Sequence, residues 1–135
     1  MAKHYPIRHV ANWLRVSEST LRHRGLKSPV THAQLVKLVD TGMSARWCST
    51  TDGNLRFYRT PSQADDYWVE LRALEAGFAL RWGDGSMIAG ETAVRELLDA
   101  FFVDGAAIDW IASHHQVWTS AVEHAIRFES ITRTR

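Results

Sequence analysis

The stretch IRHVANWLRVSESTLRHRGL, residues 7–26, decides how the chain is read. Ile7, Val10, Ala11 and Leu14 fall on one face at helical spacing, which predicts a helix over 7–14. Pro6 suits its first turn, where a missing N–H costs nothing. Ser17 can cap a second short helix from Glu18 to about Arg24, and Gly25 ends it. Two short helices crossing at a wide angle need a small residue where they touch. Ala11 is that residue, with Val10, Leu14, Val16 and Leu21 placed to lock the pair. A third helix is expected from Val30 or Thr31 to Thr41. Thr31 and Gln34 match a capping box, Leu35, Leu38 and Val39 make the stripe, and Gly42 stops it.

This is the layout of a helix-turn-helix, whose second helix would enter a major groove while its amide-rich end approaches phosphate. The outward face of that helix would carry Ser17, Glu18, Ser19, Arg22 and His23. Arginine can read guanine O6 and N7, and serine or threonine accepts several partners. The run YPIRHVANWLRVSESTLR, residues 5–22, resembles the opening of the MerR family. The continuation RGLKSPVTHAQLVKLVDTG, residues 24–42, is similar to the phage-repressor (Xre) type of helix-turn-helix regulator. The chain departs from the pattern at Arg15, where the turn usually carries glycine, at Arg24, where an apolar residue is usual, and in a spacer too short for MerR. The subfamily stays open. The resemblance implies binding of double-stranded DNA, and the residues it would use are Arg15, Ser17, Ser19, Thr20, Arg22, His23, Arg24 and Lys27.

Charge strengthens this expectation. Residues 1–60 carry ten Lys or Arg against Glu18, Asp40 and Asp52, whereas residues 61–132 carry four arginines against twelve carboxylates. The net charge of +1 conceals that asymmetry. A cationic half points to a polyanionic partner, although two halves that neutralise each other would look the same. The chain therefore divides into a basic region over 1–60 and an acidic dimerisation or partner-binding region over 61–135.

Beyond the third helix, Ala45–Ser49 and Leu55–Arg59 flank Asp52-Gly53 and predict a hairpin. Arg46, Arg56 and Arg59 alternate there with Trp47, Phe57 and Tyr58, as in a wing lying along DNA. The same alternation fits an ordinary sheet with its aromatic residues packed inward. After Pro61 the period reads as helical, with Ser62 as cap, Ala64, Tyr67 or Trp68, Leu71 and Leu74 on one face, and Gly77 as stop. Phe78–Ile88 reads as a second hairpin around Gly83-Asp84-Gly85, and 92–102 as an amphipathic helix. Residues 116–126 are expected to be helical and to pass into a short strand. The fold class so predicted is α+β but mainly α: an N-terminal helix-turn-helix with a wing hairpin, then a mixed helix and hairpin region.

Several chemistries are set aside. One cysteine, Cys48, can make neither an internal disulfide nor a cysteine-rich zinc site. His114-His115 with His124 lacks a ligand spacing, and Gly83-Asp84-Gly85 lacks the Lys-Ser or Lys-Thr of a phosphate loop. No nucleophile, base and orienter can be assembled, so an enzyme is not expected, nor a cofactor or metal. No apolar run is long enough for a membrane span, and MAKHYP lacks a signal peptide's apolar core, which leads to a cytoplasmic expectation. The reading is a small DNA-binding transcriptional regulator acting as a homodimer through Leu97, Leu98, Phe101, Trp110 and Trp118. The alternative is a phage- or mobile-element-encoded inhibitor of anti-CRISPR type, whose acidic half would occupy a cationic nucleic-acid site on a host protein complex.

Overall fold

A computed structural model describes residues 3–44, 46–50, 53–60, 63–72 and 77–133; the side chains of 59–60, 63–66 and 133 are outside that description. The order is β1 (His4–Tyr5), α1 (Ile7–Leu14), α2 (Glu18–His23), β2 (Val30–Thr31), α3 (His32–Asp40), β3 (Trp47–Ser49), β4 (Leu55–Thr60), β5 (Gln63–Leu71), β6 (Ala79–Trp82), β7 (Met87–Ala89), α4 (Glu91–Phe102), α5 (Ile108–His115) and α6 (Thr119–Arg133). Strands β3 to β7 form an antiparallel sheet in sequence order, and β1 pairs with β2.

The N-terminal elements form where their sequence signals lie. The Ser17 side chain accepts the Thr20 N–H at 3.1 Å, and Thr31 with Gln34 completes the capping box. Val10, Ala11, Leu14 and Leu21 are buried, as the contact between α1 and α2 requires. What fails is the larger frame. The expectation of a mainly helical chain headed by a helix-turn-helix with a wing is overturned by the five-stranded sheet. The supposed wing is two of its strands, with Trp47 and Phe57 packed inward as the ordinary-sheet alternative expects. The change from basic to acidic sequence falls between β4 and β5, which are neighbours in that sheet.

The segment after Pro61 is strand, not helix. Its helical match rested on apolar residues every three or four positions, yet Tyr67, Trp68, Val69 and Leu71 are all buried, on alternating faces. An inner strand covered on both sides loses the alternation that would have announced it. Pro61, Ser62 and Leu74 lie outside the described residues. Both predicted hairpins form, with Gly53 at φ +82° and Gly85 at φ +91°, values that a side chain would strain. The expected strand at the C-terminus is also absent, because α6 continues to Arg133. Val122, Ala125 and Phe128 recur at helical spacing and are all buried, so the helix keeps a face to bury. Helix α5 had not been expected.

One sheet face presents Trp47, Phe57, Val69, Leu80 and Ala89 to the helices in register. Phe128 of α6 meets four aromatic rings there: Phe78 at 4.9 Å, Phe57 at 5.1 Å, Trp13 at 5.5 Å and Trp47 at 5.9 Å. The Trp13 indole N–H donates to Thr132 Oγ1 at 2.8 Å, and that of Trp47 donates to the Trp13 carbonyl at 3.2 Å. Helix α1 is thereby fastened to both α6 and β3. Removing the Phe128 ring should destabilise the protein by about 3–5 kcal/mol, as large buried aromatic truncations do. Urea unfolding of Phe128→Ala measures this, and a loss below about 1 kcal/mol would show that the four neighbours close over the gap.

His32, at the start of α3, links the small sheet to the β3–β4 turn. Its Nε2 donates to the Gly53 carbonyl at 2.8 Å, so Nδ1 accepts from the Tyr5 hydroxyl at 2.7 Å. Burial pushes the His32 pKa below its ordinary 6.5, against the Gly53 hydrogen bond, which raises it. A depressed folded pKa means the unfolded chain takes up the proton first. The His32 contribution to stability is therefore present above pH 6.5 and lost as pH falls through the folded value. An NMR titration of the His32 ring should place its midpoint below 6.5, and a midpoint above it would reverse the predicted acid sensitivity.

Candidate nucleic-acid interface

The α1–α2 turn owes its shape to an arginine in an unusual conformation. Arg15 has φ 59° and ψ 45°, the left-handed region, and closes α1 while the Val16 N–H reaches the Ala11 carbonyl at 3.0 Å. Glycine occupies such a position without strain, and an L side chain costs about 1–2 kcal/mol there. The sequence departure at Arg15 is thus a real backbone feature. It is repeated at the end of α5, where Gln116 has φ 57° and Val117 N–H reaches the Ala112 carbonyl at 3.0 Å.

The expected DNA-contacting residues fall into two groups. Arg15, Ser17, Ser19, Thr20, Arg22, His23, Arg24 and Lys27 are all exposed, on α2 and the turns that flank it. Ser17 does not face a ligand freely, since its hydroxyl also meets Ser19 at 3.0 Å and Thr20 at 2.8 Å. Arg22 lies 3.7 Å from Glu18 across one helical turn, an exposed pair of small energetic weight. Arg15, Arg24 and Lys27 have no ion-pair partner among the described residues.

Arg56 belongs elsewhere. It lies on the opposite sheet face, with its guanidinium 4.2 Å from the Trp68 ring centre, and Arg81 approaches the same ring at 5.9 Å. Below them the buried Glu70 accepts from Arg72 Nε at 2.8 Å and lies 3.0 Å from Arg81 Nε. This cation–π and ion-pair layer covers the face that the helices leave open. The Arg59 side chain is outside the described residues.

Sequence reasoning set Arg46 in a wing and missed Arg127. Arg46, just before β3, and Arg127 of α6 join Arg15 around a cleft of about 440 Å³ that also includes Asn12, Val16 and Ile131, with Trp13 and Phe57 behind them. The three guanidiniums come from segments 31 and 81 residues apart in sequence (15 to 46, then 46 to 127), which no local motif could signal. The Arg46 guanidinium lies 5.9 Å from the Phe57 ring centre. Burial lowers its pKa, and the neighbouring charges of Arg15 and Arg127 lower it further. Like charges gathered without a described carboxylate are unfavourable in the free protein and favour a bound anion.

The residues expected at a dimer or partner contact also separate. Leu97 and Leu98 are buried in the protomer's own core, so they are not available to a second copy, and Phe101 is half-buried against Phe102. Trp110 and Trp118 are 54% and 65% exposed, and these two remain open to a partner. Among the described residues no cluster of three His, Cys, Asp or Glu side chains could hold a metal ion, and no helix is long and apolar enough to cross a membrane.

Comparison with protein families, curated proteins and solved structures finds no match to this chain. The MerR and Xre resemblances therefore stand on the quoted residues alone.

Arg15→Gly should raise stability by about 1 kcal/mol, because it relieves the left-handed strain. Gln116→Gly should give a similar gain. Thermal melting of the two variants checks both. A lower midpoint for Arg15→Gly alone would show that its side chain, and not its backbone, holds the turn.

Proposed function

We propose that the protein binds double-stranded DNA and acts as a small transcription regulator. The observation that carries this reading is the group of exposed cations on the turns that flank α2. Arg15, Arg24 and Lys27 are exposed and lack carboxylate partners among the described residues, and Arg22 and His23 lie between them. Phosphate neutralisation by such groups supplies most sequence-independent affinity for DNA. The strained backbone at Arg15 supports the reading, since strain retained where glycine would relax it is commonly tied to function. Base contacts fall to Arg22, Ser19 and His23 on the outward face of α2. Recognition of two half-sites requires a second copy, for which Trp110 and Trp118 offer the large apolar contact area.

A gel-shift titration of the whole protein against random duplex, repeated over a range of salt, tests the proposal. Binding should weaken steeply with salt, and Arg24→Gln or Lys27→Gln should each reduce the logarithmic slope by about one. Arg22→Ala should weaken a selected site by about 1–3 kcal/mol more than random DNA. Absence of binding at low salt would overturn the proposal.

A further inference from the structure

The cleft bounded by Arg15, Arg46 and Arg127 is the most distinctive chemical feature that the α2 surface does not explain. The three arginines that line it come from the α1–α2 turn, the segment before β3, and α6. None has an ion-pair partner among the described residues. Arg127 belongs to the acidic half of the sequence, yet it stands with two cations of the basic half. Arginine's planar fork suits phosphate oxygens, and three forks can share the oxygens of one phosphate. At about 440 Å³ the cleft falls among volumes that hold an organic ligand, beyond what the phosphate alone requires. Val16 and Ile131 supply half-buried apolar walls against which the carbon face of a sugar can rest.

We propose that this cleft binds a sugar phosphate group, with the phosphate held by Arg15, Arg46 and Arg127 and the sugar against Val16 and Ile131. The group can belong to a nucleic-acid backbone or to a free phosphate monoester. Burial lowers the Arg46 pKa first and the charges of Arg15 and Arg127 lower it further, and an anion among the three cations would offset that second part. The cleft shares Arg15 with the duplex-binding surface proposed above, but the inference stands without that reading.

Deoxyribose 5-phosphate titrated into the isotopically labelled full chain, followed by NMR, is the direct test. Saturable shifts concentrated at Asn12, Arg15, Val16, Arg46, Arg127 and Ile131 are expected. Arg127→Gln should weaken this binding about tenfold, the loss associated with a hydrogen bond to a charged group. Arg127→Lys should recover part of it, and Arg95→Gln on α4, outside the cleft, should leave it unchanged. Arg127 is exposed, so these variants leave the core intact, and their thermal midpoints verify this. Shifts that never saturate, or wild-type affinity in a folded Arg127→Gln variant, would overturn the inference. A duplex added as competitor separates the two sources. Displacement of the sugar phosphate, with a salt slope reduced by about one in Arg127→Gln, assigns the cleft to a DNA backbone. Sugar phosphate binding that persists without any duplex binding assigns it to a free monoester, and then only the DNA reading falls.

Discussion

The contact of Phe128 with Trp13, Trp47, Phe57 and Phe78 is the constraint on which the arrangement depends. It brings together α1, the first two strands of the large sheet, the segment before β6 and the last helix. Close-packed rings fix the relative position of those elements, since a shift of one leaves a void beside the others. The indole N–H groups of Trp13 and Trp47 find acceptors in the Thr132 hydroxyl and the Trp13 carbonyl, so burial leaves neither donor unsatisfied.

The same contact sets the position of charge. Arg127 precedes Phe128, and helical geometry turns its side chain about 100° away from the buried ring. Arg15 follows Trp13 by two residues, past the end of α1, and Arg46 precedes Trp47. Each cleft arginine therefore lies next to, or two residues from, a ring in the aromatic cluster. Packing of the rings forces the three cations to meet. The left-handed conformation of Arg15 completes the arrangement at the cost of local strain. Glycine would relieve that strain; Arg15 instead brings a third cation to the cleft lining, while Gln116 adopts the same backbone without a charge.

The opposite sheet face follows a different rule. There Arg56 and Arg81 cover Trp68 while Glu70 draws in Arg72 and Arg81. Positive charge is partly neutralised on that face, whereas the cleft arginines have no ion-pair partner among the described residues. This contrast separates arginines held by described neighbours from arginines without an ion-pair partner among the described residues.

Local signals in the sequence determined the three N-terminal helices, their caps and both hairpins, because each depends on residues within a few positions of one another. Ser17 caps α2, Thr31 and Gln34 close the start of α3, and Gly53 and Gly85 permit the turns. The exposed cations of α2 were legible for the same reason. Tertiary structure alone decided the rest. Residues 63–71 carry apolar spacing compatible with a helix, but pairing with β4 and β6 on either side holds them as an inner strand. The third and fourth turns of α6 persist where alternation resembled a strand, because Phe128 has a core to enter. Arg15, Arg46 and Arg127 become one site only when that core forms, since the attraction that assembles it is between aromatic rings far apart in sequence and the charges they carry along would otherwise repel.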